Sequence, residues 1–128
     1  MREDQLSPLL GRLIDAAKAA LPQAGDARPS SEAVAFLTES GAIYTGRSGA
    51  GPRGSACGAA EAALHEWRAT GGGSIDAAAL ASDPSLDSVS PCLECGCLLE
   101  GIDPELPLVV KQRGRWVLVP LSAARGAA

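Results

Sequence analysis

Four cysteines carry most of the chemistry open to this chain, and three of them are crowded. Residues 90 to 98 read SPCLECGCL, with Cys92, Cys95 and Cys97, while Cys57 stands alone upstream. A Cys-x-x-Cys pair on a helix presents two sulfurs about one turn apart, a spacing that lets both reach one zinc ion at roughly 2.3 Å. A third sulfur from another helix leaves the fourth position to water, which is a catalytic arrangement. Three other readings fit the same residues: a thiol redox pair, a closed structural zinc site that uses all four sulfurs, and core cysteines without metal.

Two helix starts would have to bring these sulfurs together. Residues 57 to 69, CGAAEAALHEWRA, read as a helix led by Cys57, with Ala60, Ala63, Leu64 and Trp67 along one face. Pro91 opens a second helix over residues 92 to 101, so that Cys92 and Cys95 fall in its first turn. A helix N-terminus offers unpaired backbone N–H groups and the positive end of the dipole. A thiolate there is favoured, and its sulfur is ready for a metal.

The remaining elements follow from periodicity and punctuation. Leu9, Leu10, Leu13, Ile14, Ala17 and Leu21 recur at helical spacing across residues 5 to 21, with Ser7 and Pro8 placed to start that helix and Pro22 to stop it. AVAFLT (33–38) and AIYTG (42–46) are short strands joined by Glu39-Ser40-Gly41, a hairpin. The Gly-rich stretch GRSGAGPRGS is a loop leading to the Cys57 helix, which Gly71 to Gly73 end. SIDAAALA is a third strand, LPLVVKQ and WVLVPL are two more around the turn RGR, and ARGAA is a tail. Helix, strand, strand, helix, strand, helix, strand, strand is the order of an α/β fold with one mixed sheet and helices packed on it. A length of 128 residues suits a single domain, 1–128, with an ordered core over about 6–121.

Bulk composition narrows the partners. With 46% hydrophobic and 20% charged residues the chain is globular, yet it has only two Trp, one Tyr and one Phe, so Ala, Val, Leu and Ile must build the core. A net charge of −4 argues against a nucleic-acid groove or an anionic membrane surface and makes a small neutral or cationic ligand the easier partner. No apolar run reaches the roughly 18 to 20 residues of a membrane span, and MREDQLSPLL lacks the basic-then-apolar order of a signal peptide. The expectation is a cytoplasmic protein, whose reduced thiols point to metal or catalysis before disulfides.

The succession AVAFLTESGAIYTG, a Gly-rich loop, a Cys-led helix with a nearby Glu, and then SPCLEC resembles the small nucleoside cytidine deaminases over roughly residues 6 to 121. Ser90-Pro91-Cys92-x-x-Cys95 is its most specific element and matches that family's second zinc motif. The resemblance implies a three-layer cytidine deaminase-like fold with a five-stranded mixed sheet flanked by helices. It implies Zn2+ as cofactor, a homodimer or homotetramer, and hydrolytic deamination of a small cytosine-like or other amino-heterocyclic substrate. In that family zinc-bound hydroxide attacks C4 of the base, and a Glu that is not a ligand moves the protons.

The first motif departs from the family's Cys or His, Ala, Glu: this chain reads Cys57-Gly58-Ala59-Ala60-Glu61. Aligning on Cys57 keeps three sulfur ligands and puts Ala59 where the acid belongs. Aligning on Glu61 keeps the acid and puts Ala59 where the ligand belongs. The reading adopted takes Cys57, Cys92 and Cys95 as metal ligands, with Glu61 one helical turn from Cys57 as the catalytic acid/base. The family's ribose-binding Asn-x-Glu is Ser48-Gly49-Ala50 here, and arginines that would offset three thiolates are replaced by Gly96 and Ala62, leaving Arg47 or Arg53 to do so. His65 and Trp116 are expected in surface or packing roles, Glu94 on a solvated face and Cys97 as a bystander. Two alternatives stand beside the enzyme. One is a catalytically silent deaminase-fold protein whose zinc is structural and which serves as a binding or assembly subunit; the other is a thiol redox protein using Cys92 and Cys95.

Overall fold

The structure is a computed structural model that describes residues 8–21, 32–47, 58–71, 73–82, 87–91 and 93–126. Pro8 opens helix α1 (Pro8–Ala20), where its missing N–H costs nothing, and the stripe Leu13, Ile14 and Ala17 is the helix's buried face. Strands β1 (Glu32–Thr38) and β2 (Ile43–Arg47) pair antiparallel. Their turn closes at Gly41, whose N–H donates to the Thr38 carbonyl at 2.9 Å and whose φ of 87° favours a residue without Cβ. Helix α2 (Ala59–Ala69), β3 (Ile75–Ser82), α3 (Leu93–Ile102), β4 (Pro107–Gln112), β5 (Arg115–Pro120) and α4 (Leu121–Gly126) follow.

The five strands form one mixed sheet in the order β2-β1-β3-β4-β5. β1 is antiparallel to both β2 and β3, β3 is parallel to β4, and β4 is antiparallel to β5. It follows that β2, β3 and β4 run in one direction and finish at one end of the sheet. The register makes this concrete, since Arg47 and Ala81 lie opposite Ala33 on its two sides.

Alternation along the strands splits the interior into two layers. Val34, Phe36, Ala78, Leu80, Leu108 and Val110 face α2, α3 and α4. Ala35, Leu37, Ala77, Ala79, Ala81 and Val109 face α1. The architecture is therefore α1, sheet, and α2 with α3 and α4: the mixed sheet with packed helices that the element order predicts, in the three layers that the resemblance implies. Four alanines under α1 let that helix sit close to the sheet, and only short side chains fill the gap.

At one end Pro107 pairs with Pro120, a ladder terminus where two missing donors do no harm. At the other, Gln112 pairs with Arg115 around Arg113-Gly114, whose φ values of 52° and 79° are both left-handed. This is the two-residue mirror-image turn that matches strand twist, and Asn-Gly is its preferred sequence. Arg113→Asn is thus expected to stabilise the protein by about 1 kcal/mol and raise Tm by a few degrees, read by thermal melting.

The chain's end differs from the expected tail after residue 121. Leu121 and Ala124 are 0% and 1% exposed within α4, and the Leu121 N–H donates to the Leu106 carbonyl at 2.9 Å. The buried core accordingly extends past 121 and includes part of ARGAA. Pro120 ends the strand one residue earlier than the sequence pattern suggests and lets a short helix fold back onto the core.

Candidate active site

Sheet direction positions the site. β2 and β3 both finish at the same end, and the helices that follow them, α2 and α3, pack on the same face, because Ala59, Ala60, Ala63, Cys95 and Leu99 share one buried cluster. Two crossovers of this kind bring two helix starts to the carboxyl ends of the strands, where open α/β sheets form their crevices.

Gly46 fixes the height of α2 over the sheet. A Cβ there would overlap the Ala59 carbonyl oxygen and the Ala63 amide nitrogen and stand 2.8 Å from the Ala62 Cβ. Backbone meets backbone at this point, so the start of α2 is seated on the end of β2. The segment entering α3 is held from the other side. The Val89 N–H donates to the Lys111 carbonyl at 2.8 Å, the Gly114 N–H to the Asp87 carbonyl at 2.7 Å, and the Arg113 N–H to the Ser88 Oγ at 2.9 Å. The chain that leads into Pro91 and Cys92 is thereby pinned to the β4–β5 hairpin.

Of the proposed ligands, Cys95 is described. It is the third residue of α3, free of any disulfide and wholly buried. Cys57 and Cys92 lie outside the described residues, as do Ser48, Gly49, Ala50 and Arg53 and the side chain of Glu94. Among the described residues no group of three or more His, Cys, Asp or Glu could hold a metal ion. Two members of the proposed triad fall outside that set.

The start of α2 differs from the expected Cys57. Its first residue is Ala59, preceded by Gly58 as N-cap with φ 81° and ψ −3°. The Gly58 carbonyl accepts the first helical bond, from the Ala62 N–H at 2.8 Å. The expected helical start at Cys57 is thus not part of α2, and Cys57 itself lies outside the described residues. Glu61 lies half-buried in the first turn of α2, where its charge suits the helix dipole. Ala59, the ligand position of the alternative alignment, is 0% exposed in the cluster that holds Cys95.

His65 and Trp116 fall where expected. His65 is exposed. Trp116 is 7% exposed beneath α1, with the Lys18 Nζ 5.3 Å from its ring centroid, a packing role. Cys97 is exposed. Ala62 and Gly96 are buried, so no cation stands where the family places its arginines. Exposed Arg47 lines a cavity of about 390 Å3 with Thr45, His65 and Glu66, between the end of α1 and α2.

The one described member of the proposed triad is of a donor type that suits zinc: Cys95 is a thiol in the first turn of α3, where the helix end favours a thiolate and apolar burial opposes it unless a cation is bound. Sequence reasoning missed Gly46 and the left-handed Gly58. The signal for the first was a glycine ending a strand just before a loop and helix; the second had none beyond being glycine.

No protein-family model matches the chain, and neither does any curated protein. Solved structures do match. A cytidine deaminase from Burkholderia pseudomallei superposes with a TM-score of 0.67 at 23% identity, over 93% of this chain and 96% of that one. A cytidine deaminase from Mycobacterium leprae superposes with a TM-score of 0.61 at 25% identity, over 85% and 92%.

Proposed function

The chain has the cytidine deaminase-like fold, and from that premise we propose that it is a zinc-dependent hydrolase that deaminates a cytosine-like or other amino-heterocyclic small molecule. The observation that carries the reading is that α2 and α3 start at one end of the sheet on one face. Glu61 stands in the first turn of α2, and Cys95 is buried in the first turn of α3. Cys57, Cys92 and Cys95 would hold the metal. Zinc, when bound, supplies Lewis acidity that makes water a nucleophile near neutral pH.

The chain's own part is proton movement and enclosure. The Glu61 carboxylate would take the first proton of the attacking water and deliver it to the ring nitrogen, then take the second from the hydroxyl now on the ring carbon and deliver it to the amine, which leaves as ammonia as the carbonyl forms. Glu61→Gln is expected to lower kcat by about 10² to 10⁴ while leaving zinc content and Tm unchanged. Ammonia release from nucleosides, bases and modified cytosines measures it. No turnover of any of these by zinc-loaded protein would refute the enzyme reading.

One observation favours a catalytically silent relative instead. Glu61 occupies the third position of α2, from which a Glu side chain commonly reaches back to the N-cap. A capping role predicts that Glu61→Ala lowers Tm while Glu61→Gln, whose amide oxygen still accepts from the N-cap N–H, largely keeps it, with no substrate consumed by wild type or either variant. No helix among the described residues is long and apolar enough to cross a membrane.

A further inference from the structure

A groove of about 770 Å3 opens beside the cysteine motif, lined by Ser88, Ser90, Gln112, Arg113, Arg115 and Val117 among others. It lies on the α2/α3/α4 side of the sheet, because Val89, Val117 and Ala124 in its wall also belong to or pack on the cluster that contains Cys95. Ser90 precedes Cys92 by two residues, so no more than about 7 Å of chain separates the groove from the second cysteine motif.

The lining is made of donors. Arg113 lies in the hairpin turn and Arg115 just after it; both are exposed, and neither guanidinium has an ion-pair partner among the described residues. The Ser88 Oγ already accepts from the Arg113 N–H, which leaves its hydroxyl proton free to donate outward. No carboxylate is found among the described lining residues. Arg113 also holds a backbone conformation that side chains other than Asn and Asp rarely adopt, at a turn position where its guanidinium serves no packing purpose. Strain retained at one residue is a mark of function when the side chain has another task.

We infer that this groove binds a phosphate group, and that the compound accepted at the neighbouring site is a phosphorylated amino-heterocycle such as a nucleoside monophosphate. Two guanidinium forks match the two charges and the tetrahedral oxygens of phosphate; a carboxylate would need only one. The hydroxyls of Ser88 and Ser90, in the same lining, supply further donors. The phosphate site stands independently, whereas the identity of the attached base rests on the deaminase reading.

The test measures binding of inorganic phosphate, cytidine and cytidine 5′-monophosphate to the full chain by calorimetry, for wild type, Arg113→Asn, Arg115→Gln and the double variant. Phosphate is expected to bind saturably, the monophosphate at least tenfold more tightly than cytidine, and each variant to lose about tenfold in affinity for phosphate and monophosphate but not for cytidine. Arg113→Asn improves the turn, so its lost binding cannot be ascribed to unfolding, and Tm read in parallel checks this. No saturable phosphate binding, or binding unchanged in the double variant, overturns the phosphate site. Phosphate binding without preference for the monophosphate overturns its link to the neighbouring site. Phosphate binding that is intact in a protein with no deaminase turnover leaves the anion site standing and counts against the enzyme reading alone.

Discussion

Gly46→Ala should cost this protein about 3 kcal/mol or more, enough to lower Tm by about 10 °C. A single methyl group is added, and its neighbours are what make it intolerable. The atoms it would overlap are the Ala59 carbonyl and the Ala63 amide nitrogen, main-chain groups of a hydrogen-bonded helix that cannot swing aside as a side chain can. Relief requires the whole of α2 to lift from β2, and overpacking that forces backbone shifts sits at the upper end of the usual 1 to 3 kcal/mol. Against a total stability of 5 to 15 kcal/mol for an ordinary domain, the loss is large. Gly11 supplies the control. It lies inside α1 with nothing within 4 Å of its would-be Cβ, so Gly11→Ala should stabilise by about 0.5 to 1 kcal/mol. Urea titration of the two variants beside wild type reads both signs. Equal stability for wild type and Gly46→Ala would mean that α2 is not seated on β2 as described.

Cys95→Ala should abolish stoichiometric zinc binding and lower Tm by ten degrees or more. Cys95 is fully buried in the first turn of α3, and two sulfurs do not hold the ion that three hold. A metal that binds the folded chain alone contributes its binding energy to folding, about 4 kcal/mol when free zinc is a thousandfold above Kd. Wild type treated with chelator should show the same loss, while Cys95→Ala should be insensitive to chelator. Cys97→Ala is the matched control, because that thiol is exposed and a surface change typically stays within about 0.5 kcal/mol. Zinc retained at one per chain in Cys95→Ala would remove Cys95 from the ligand set.

Much of the fold could be read from local pattern. The stripe of Leu13, Ile14 and Ala17 marked α1, the apolar run AVAFLT marked a strand buried on both faces, and Pro91 marked the start of α3. What could not be read was tertiary or conformational. Gly46 looks like any strand-ending glycine until α2 is laid across it. Gly58 looks like part of a helix until its φ of 81° delays the helix to Ala59. α4 was hidden by an Ala-rich composition that reads as a tail, and only the burial of Leu121 and Ala124 gives it purpose. Net charge is likewise blind to local arrangement. A total of −4 favours neutral or cationic ligands, yet the β4–β5 turn gathers Arg113 and Arg115 on one groove beside the cysteine motif. Charge summed over a chain says little about one wall of one crevice.

The central proposal is that the sulfurs of Cys57, Cys92 and Cys95 converge on one ion. Elemental analysis joined to zinc-edge X-ray absorption of the protein as purified tests it most directly. The expected result is one zinc per chain with about three sulfur neighbours at roughly 2.3 Å and one lighter atom. Protein that is folded and free of metal, or zinc surrounded by nitrogen and oxygen alone, would contradict it.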